Sequence, residues 1–558
     1  MEKLKKFFSH DAYFLIFISL LVIIVTEIPF VYGYFMTDKS HYYTGLNTIA
    51  SIDGPVYLSY IEQVKAGHLL FRDLFNSNDD FKFFNPFWLL VGLVAKIFHL
   101  SGMLALQLFR IILIPLFLWS LFKIIDLLFS GSQWQKKACF LFSIVLSGAG
   151  IFIFPLVLGT NLKPSLADVP IDLWAYEANN FMVLRYYPHV ILGTSLIFLI
   201  FYYFYKATEK HSYRQAIYAG LLGLALFSFH PFQVPIIYAI PFVYLIFLFI
   251  SEKKINWQSL KIYGLLFLIS LPSVVYYIVQ LFINNNMYLK AVRNTGWMPT
   301  PVIFIFSFGL GLILALYYIY HIFRTGRPTR AQYFLLAWMV TSIFLAYCPF
   351  LNWQRRMLGG FIVPVSILAF SAALLIYQHL KALPKPARIF LVIIFFFTIT
   401  LSDLFVFSQD LKFITGAATD SIKFDDLLYV DNLVYVDNNI KEAADWYKKT
   451  AFDSDLILAS DERGNIIPGL TAQKVYSGHP IETVGYEAKT LLLKAFFATD
   501  TDDDLKQDFL KTNKITYIFY SDFEHNLGDF APAEKNYLQE VFANKLVTIY
   551  KVNLPAND

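Results

Sequence analysis

The feature that most constrains this sequence is a series of apolar segments, each close to 20 residues long. The chain has 558 residues, of which 57% are hydrophobic and only 15% are charged. Because about 20 consecutive apolar residues form a helix long enough to cross a bilayer, the repetition predicts a polytopic α-helical membrane protein. The segments lie at residues 12–34, 84–99, 103–129, 138–158, 190–206, 214–229, 232–250, 261–283, 301–320, 331–350, 358–377 and 389–407.

The charges in the connecting loops predict how these segments are oriented. The short basic loops should be cytoplasmic by the positive-inside tendency, and they lie at 3–6, 136–137, 206–214, 253–254, 324–330 and 381–388. The N-terminus is then cytoplasmic in an inner or plasma membrane, and the first loop, 35–83, lies outside. An odd number of crossings must separate this loop from residues 136–137, so we interpret 84–99 as a juxtamembrane or re-entrant helix, leaving about 11 crossings. The alternative is that 103–129 breaks at Pro115 and crosses twice.

Charge and cysteine content exclude some classes of function. The formal charge of +4 is modest and no basic block is long, so nucleic acid is not an expected partner. Cys139 and Cys348 both lie in apolar segments, which leaves no disulfide framework and no thiolate metal site.

The composition changes near the end of the last apolar segment. Residues 1–410 are predicted to form the membrane domain and residues 411–558 a small extracytoplasmic α/β domain. The patterns in this second part predict helices at 439–450, 486–497 and 533–543, and strands at 456–459, 514–520 and 546–552.

Several basic residues lie on the predicted outer face, where the topology rule does not favour them. Arginine presents a planar fork of donors that suits phosphate oxygens, and histidine at a membrane interface can donate to phosphate. Contacts to lipid headgroups and helix capping are the alternatives. A further residue, Arg110, lies within an apolar segment, where a charge usually faces a bundle interior or a cavity. The candidates for binding a lipid phosphate are Arg185, His189, His230, Arg293, Arg355 and Arg356.

The first outer loop has the highest density of carboxylates and amides. Residues 56–68 read as an amphipathic helix on the membrane surface, with Gly67 as its C-terminal stop. Asp53 directly precedes the first turn, and Pro55 suits that turn, so helix capping alone would account for Asp53. A catalytic role is the competing interpretation, and it is compatible with a cap. Further carboxylates of this loop are candidates for an accessory role: Glu62, Asp79 and Asp80.

A first span, an outer loop with an early Asp, a surface helix and a Pro-aromatic segment together resemble the GT-C superfamily of membrane glycosyltransferases, in particular bacterial membrane sugar transferases. The pieces that carry the resemblance are Asp53 to Gly67, Phe84 to Gly92, Arg110, His230 to Phe232, Asn465 to Thr471, Tyr476 to Thr483, and Lys489. The resemblance implies a GT-C-like fold and transfer of a hexosyl or pentosyl group, with inversion, in the cell envelope. The donor would be a polyprenyl-phosphate sugar, and the acceptor a glycan, lipid or protein.

The resemblance also implies that the acidic residue of the first outer loop, here Asp53, is the catalytic base. Some members have an adjacent acidic pair at this point, whereas Gly54 follows Asp53 here, which favours a base acting without metal over a site for a divalent cation. A divalent cation is the alternative that the sequence leaves open, and no other cofactor is expected. His479, Glu482 and Lys489 could contact an acceptor, or they could only organise a surface loop. The rival functions are a lipid or glycan transporter or flippase, and a non-catalytic membrane scaffold that binds glycans.

Overall fold

A computed structural model describes residues 11–48, 51–77, 80–155, 168–418 and 433–554, most of which are helical. The α-helices are, in chain order, α1 (Asp11–Met36), α2 (Gly54–Ala66), α3 (Pro86–Ile97), α4 (Gly102–Leu128), α5 (Gln133–Val145), α6 (Asn180–Arg185), α7 (Pro188–Lys210), α8 (Tyr213–Phe227), α9 (Val234–Glu252), α10 (Trp257–Ile283), α11 (Asn285–Arg293), α12 (Pro301–Thr325), α13 (Arg330–Ala346), α14 (Ile362–Leu380), α15 (Lys385–Ala418), α16 (Asn438–Thr450), α17 (Asp461–Thr471), α18 (Tyr486–Phe497), α19 (Asp503–Thr512) and α20 (Asp522–Leu527).

The β-strands are short and most of them lie in the C-terminal part of the chain. They are β1 (His41–Tyr43), β2 (Phe71–Arg72), β3 (Lys82–Phe83), β4 (Tyr435–Asp437), β5 (Leu456–Leu458), β6 (Lys474–Val475), β7 (Tyr517–Tyr520), β8 (Leu538–Ala543) and β9 (Thr548–Val552).

The membrane class predicted from the sequence is confirmed. Within the described residues, nine helices are long and apolar enough to cross a membrane: α1, α4, α5 with the turn that follows it, α7, α9 with the turn that precedes it, α10, α12, α14 and α15. Two other predicted crossings correspond to shorter helices, α8 with 15 residues and α13 with 17 residues, so the count of eleven stays a prediction.

The helix α3, which corresponds to the ambiguous segment 84–99, has only 12 residues. At about 1.5 Å per residue it spans roughly 18 Å, well short of the roughly 30 Å of a bilayer core. By contrast α4 runs for 27 residues and contains Pro115 without ending there. The alternative in which segment 103–129 breaks at this proline and crosses twice is therefore wrong.

The chain forms two compact units, each built from separate segments. The membrane unit comprises Met1–Pro29, Leu108–Val279 and Thr295–Lys412, and the mixed unit comprises Phe30–Gln107, Gln280–Asn294 and Phe413–Asp558. The first outer loop and the C-terminal residues therefore belong to the same unit. The predicted division into 1–410 and 411–558 stays a prediction.

In the membrane unit, apolar helix faces pack in pairs: α12 on α14, α7 on α8, α9 on α13, and α5 on α14. Small polar side chains join some of these pairs through hydrogen bonds, which matter where water is excluded. The hydroxyl groups of Ser143 on α5 and Ser366 on α14, for example, lie 2.6 Å apart.

The mixed unit contains a five-stranded sheet with the order β6-β5-β7-β9-β8. Strand β5 is parallel to β6 and β7, and β9 is antiparallel to β7 and β8. Apolar side chains of the strands and of α18 bury a core that includes Leu458, Phe496, Phe497 and Ile518. The predicted α/β character of the C-terminal part is confirmed.

Two of the three helix predictions for the C-terminal part are exact or nearly so and one is wrong, while the three predicted strands correspond to β5, β7 and β9. Helices α16 and α18 lie where the pattern places them, at 438–450 and 486–497. Residues 533–543, predicted as a helix, form a short 3-10 turn and then strand β8, which pairs with β9 through a bulge between Glu540 and Phe542. Pairing with β9 outweighs the local helix preference of this stretch.

Candidate active site

Asp53 lies at the end of a 3-10 turn, directly before α2. It occupies the N-cap position of α2, yet its side chain makes no capping hydrogen bond. The carboxylate Oδ1 instead lies 3.1 Å from Nε2 of His479, and the Asp53 side chain keeps about a third of its exposed area, 32%. Capping therefore does not account for the orientation of this carboxylate.

Helix α2 forms as predicted, and Gly67 ends it with φ of 111°, a conformation that glycine adopts without strain. The helix is packed by α3 and by α17 of the same unit. Its buried residues lie on more than one face and include Val56, Leu58, Ile61 and Val64. α2 is therefore a packed element of the mixed unit, and its place on the membrane surface stays a prediction.

The loop after β6 presents His479 to Asp53. Gly478 and Gly464 of α17 approach so closely that a Cβ on either residue would meet backbone atoms of the crossing segment at 2.4 Å or less. Side chains larger than hydrogen would hold α17 and this loop apart. The asparagine Asn465 of α17 also donates to the carbonyl of Ile52, one residue before Asp53, at 3.4 Å.

A lysine from a third segment completes a polar cluster of five residues. This polar cluster comprises Asp53, Asp73, Lys290, His479 and Glu482. Lys290 of α11 donates to Glu482 at 2.6 Å and to Asp73 at 3.0 Å. Although burial opposes both effects, the two carboxylates raise the pKa of Lys290, and Lys290 lowers the pKa of Glu482. Burial raises the pKa of Asp73 despite the opposing charge of Lys290. The cluster thus holds Lys290 as a cation, and Asp73 is less acidic than an aspartate in water.

The polar cluster does not suit a divalent cation. Nδ1 of His479 accepts hydrogen bonds from the backbone N–H groups of Ile481 and Glu482, at 3.1 and 3.2 Å. A neutral imidazole has one N–H, so the proton lies on Nε2, which then has no lone pair for a metal. Across the described residues, no group of three His, Cys, Asp or Glu side chains has a geometry that could hold a metal ion.

The other accessory candidates are engaged elsewhere in the mixed unit. Glu62 accepts from Lys65 and Lys448, both at 2.7 Å, and exposed Asp80 accepts from Lys474 at 2.6 Å. The side-chain hydrogen bond from Lys474 is the main cause of a lowered pKa at Asp80. The neighbouring candidate, Asp79, lies outside the described residues.

Lys489 of α18 contacts the same part of the first outer loop. Its amine donates to the hydroxyl of Ser77 at 3.0 Å and to the carbonyl of Tyr476 at 2.9 Å, and it lies over the Tyr476 ring. Burial lowers the pKa of Lys489 to about 8. These contacts organise the loop against the sheet.

In the membrane unit, four of the six candidates for phosphate binding lie near one another. The guanidinium groups of Arg355 and Arg356 lie 3.1 and 3.3 Å from the carboxylate of buried Glu177. The imidazole rings of His189 and His230 lie 5.9 Å apart. We call these five residues the arginine–histidine cluster.

Aromatic rings join the two halves of the arginine–histidine cluster. The guanidinium of Arg356 lies over the rings of Tyr176 and Phe232, and Phe232 in turn contacts His230. Burial lowers the pKa of His230 to about 4, so this ring is neutral near pH 7. Burial also raises the pKa of Glu177 against the opposing effect of Arg355.

The two remaining candidates for phosphate binding are held by carboxylates. Arg185 forms an ion pair with Asp410, which is fully buried. Arg293 belongs to the mixed unit, where it donates to Glu487 and to the carbonyl of Thr483. Neither residue lies in the arginine–histidine cluster.

Arg110 of the membrane helix α4 faces the helix bundle, as expected. Arg110 is buried, forms an ion pair with Glu27 of α1, and donates to the carbonyls of Thr26 and Leu184 at 3.2 Å. These contacts tie three elements of the membrane unit together, which is a structural role.

Sequence reasoning missed the partners more often than the candidates themselves. Lys290, Glu177 and Asp410 were not singled out, although each has a charge where a charge is costly. Lys290 lies three residues before Arg293 on the same predicted outer loop, and Asp410 closely follows the last apolar segment. A systematic search for unexpected charges near the membrane would have found all three.

No protein-family model matches the chain, and no curated protein matches it either. Several solved structures match the chain in fold. The oligosaccharyltransferase of Archaeoglobus fulgidus, tethered with an acceptor peptide, matches with a TM-score of 0.54 and 11% identity over 92% of this chain and 70% of that chain. The same enzyme in complex with Zn and sulfate matches with a TM-score of 0.51 and 12% identity over 89% of this chain and 68% of that chain. ArnT from Cupriavidus metallidurans bound to undecaprenyl phosphate has a TM-score of 0.49 and 11% identity over 95% of this chain and 98% of that chain.

The likeness to the oligosaccharyltransferase extends over most of both chains at very low sequence identity. It therefore identifies the fold and leaves the activity to be argued from the site. The chain has the fold of GT-C membrane glycosyltransferases, and the resemblance seen in the sequence is confirmed at that level.

Proposed function

We propose that the chain is a membrane glycosyltransferase that moves a sugar from a polyprenyl-phosphate-linked donor to an acceptor on the outer face of the membrane. The GT-C fold supports the reaction class. The observation that carries the proposal is the carboxylate of Asp53, which stays partly exposed and turns to His479 although its position invites capping. This residue occupies the point in the first outer loop where the resemblance implies a base.

In the proposed reaction Asp53 is the general base. The hydroxyl of the acceptor attacks C1 of the sugar and gives its proton to the Asp53 carboxylate as the new glycosidic bond forms. The bond between C1 and the phosphate oxygen breaks, and the polyprenyl phosphate leaves with the bonding electron pair. A single displacement of this kind inverts the configuration at C1.

The arginine–histidine cluster is our candidate for the site of the donor phosphate. The leaving group is an anion, so cationic and neutral donors held in place are what its departure requires. Glu177 compensates one of the two guanidinium charges of Arg355 and Arg356, so the cluster has a net charge near +1. Neutral His230 would add a hydrogen-bond donor. Arg185 and Arg293 are already held by carboxylates, and the proposal does not depend on them.

The test is turnover of defined donors by the purified protein in nanodiscs. Polyprenyl-phosphate hexoses and pentoses are supplied with a mixture of glycan, lipid and peptide acceptors, and release of polyprenyl phosphate is measured. We expect Asp53→Asn to lower the rate about 100-fold or more, the usual contribution of a general base. Asp445→Asn is the matched control, because Asp445 is an exposed carboxylate of α16 that pairs with Lys441 in the same unit.

The outcomes separate the proposed function from its rivals. If wild type and Asp53→Asn release polyprenyl phosphate at the same rate, Asp53 is not the base. If wild type moves labelled lipid between leaflets but consumes no donor in the panel, the transporter interpretation replaces this one. Binding of a glycan acceptor without either activity would favour the scaffold.

A further inference from the structure

His479 is held rigidly by the loop that contains it. Its ring is 2% exposed and meets the ring of Phe75 edge-on, with centroids 5.9 Å apart. The loop closes on itself because the N–H of Thr483 donates to the carbonyl of His479 at 2.9 Å, and the Thr483 hydroxyl donates to the carbonyl of Phe75 at 2.9 Å. The imidazole therefore has little freedom to turn.

The same loop fixes the tautomer of the imidazole. Nδ1 accepts from the N–H groups of Ile481 and Glu482, so it has no proton of its own in the neutral ring. The proton of the neutral ring lies on Nε2, which points at Oδ1 of Asp53 across 3.1 Å. The backbone thus sets the direction of the hydrogen bond: His479 donates and Asp53 accepts.

We propose that His479 is a positioning residue for Asp53: its Nε2–H, fixed by two backbone donors at Nδ1, holds one carboxylate oxygen and favours the ionised form of the base. This inference rests on the proposed function, in which Asp53 is the general base. His479 keeps its proton throughout the reaction, because Nδ1 is turned toward donors and offers no route for a proton relay. The acceptor proton goes to Asp53.

The charges around Asp53 show why such a donor matters. Glu482 adds a like charge close enough to interact with Asp53, and Lys290 largely compensates it at 2.6 Å. On the packing helix α17, Asp461 bonds to Ser477 and Thr490, and Arg463 pairs with Asp522, so these charges face other partners. The imidazole is thus a fixed donor that the surrounding elements aim at Asp53.

Loss of the His479 donor should shift the pKa of Asp53 in a predictable direction. A hydrogen bond to the ionised form lowers the pKa of a carboxyl group, so its removal raises the pKa of Asp53. The base is then protonated at a higher pH, and the acid limb of the rate profile moves upward. A merely structural role for His479 would lower the rate without moving this limb.

The experiment compares His479→Ala, His479→Gln and His479→Asn in the donor-release assay between pH 5 and 9. Gln places an amide nitrogen near the position of Nε2, whereas the shorter Asn reaches only the position of Nδ1. We expect Ala and Asn to lower kcat roughly tenfold to a hundredfold, the range for a hydrogen bond to a charged group. KM for the donor should change less than about threefold, and the acid limb should rise by about one pH unit. Gln should restore both rate and limb to a large extent.

Two further variants make the result decisive. Thr483→Val removes a hydroxyl that holds the loop, so it should lower the melting temperature while leaving the acid limb where it is. If Asp53→Asn is inactive but His479→Ala has the wild-type limb, the positioning role is refuted and the proposed function stands. If Asp53→Asn is fully active, the proposed function fails first. Should the Ala variant fail to fold, the Gln and Asn pair decides, since an equal limb in both refutes the role.

Discussion

The half-buried lysine of the polar cluster offers the sharpest test of how the mixed unit is held together. Lys290 of α11 joins Asp73 and Glu482, which lie more than 400 residues apart in the chain. The substitution Lys290→Met keeps most of the length and volume of the side chain and removes the charge. Two carboxylates then remain in a largely buried place without their cation.

The magnitude follows from the geometry. Removing one partner of a buried ion pair costs about 3–5 kcal/mol, because the other charge stays buried. The side chain of Glu482 is 25% exposed and can draw on water, and Asp73 can take up a proton, so the lower end applies. For a unit of roughly 240 residues, about 3 kcal/mol corresponds to a drop of about 6–12 °C in melting temperature.

The pH dependence gives the prediction its sign. In wild type, Lys290 lowers the pKa of Glu482, so this contribution is present above the ordinary value of 4.5 and is lost as the pH falls through the lowered value. In Lys290→Met both carboxyl groups are desolvated without a cation, so their pKa values rise and the variant loses stability as the pH rises. The difference between the two proteins should be largest at pH 8 and should shrink toward pH 5.

The assay is thermal unfolding in detergent, followed by tryptophan fluorescence, at pH 5 and pH 8. Lys545→Met, at an exposed lysine of the β8–β9 connection, is the control and should change the melting temperature by less than about 2 °C. The double variant Lys290→Met/Asp73→Asn should recover part of the loss, because one buried carboxylate is then neutral. An equal drop at both pH values, or no recovery in the double variant, would refute the electrostatic account.

Two further predictions concern the membrane unit. Burial raises the pKa of Asp172 to about 7, so its contribution to stability is present below the ordinary value of 3.8 and is lost as the pH rises through 7. Asp172→Asn should therefore be more stable than wild type at pH 8.5, by up to about 4 kcal/mol, and should unfold at a higher temperature. The gain should fall to less than half of this at pH 5 and vanish below about pH 3.8. Glu177→Gln should leave the charges of Arg355 and Arg356 uncompensated and lower the melting temperature. Added polyprenyl phosphate should raise the melting temperature more in this variant than in wild type. Equal shifts in both proteins would remove the two arginines from the phosphate proposal.

Elements whose local pattern and tertiary environment agree could be predicted from the sequence. The helix α18 is apolar on the face that packs against the sheet, and its bounds are those predicted. Where the two disagree, the tertiary environment decided. Helix α17 contains Gly464, Pro468 and Gly469, which read as breakers, yet a Cβ at Gly469 would lie 2.9 Å from the carbonyl of Pro55. The close packing of α17 on α2 therefore requires a glycine, which is one of the residues that make this stretch look non-helical in the sequence.

The candidate site shows the same limit for side chains. Spacing alone could place Asp53 before a helix and allow both a cap and a base. The direction of its carboxylate depends on His479, which is 426 residues away in the chain. His479 lies beside Asp53 because Gly464 and Gly478 let α17 and the loop of His479 approach closely. The residues around Asp53 in the sequence do not predict such a contact. The resemblance to GT-C enzymes points to Asp53 because a family motif marks the position of a residue even when the distant contacts that orient it are not visible in the sequence.

The division of labour between the imidazole and the lysine explains how a carboxylate could be both fixed and basic. A lysine bound directly to a carboxylate lowers its pKa strongly and so weakens it as a base near neutral pH. In the polar cluster the lysine is bound to Glu482 and Asp73, and the group fixed on Asp53 is an imidazole. An imidazole N–H orients the carboxylate with a smaller loss of basicity than a lysine bound directly to it, while Lys290 offsets the repulsion that Glu482 would otherwise exert. Replacing His479 by lysine should therefore lower the pKa of Asp53 and slow proton transfer, even though the ion pair would be stronger.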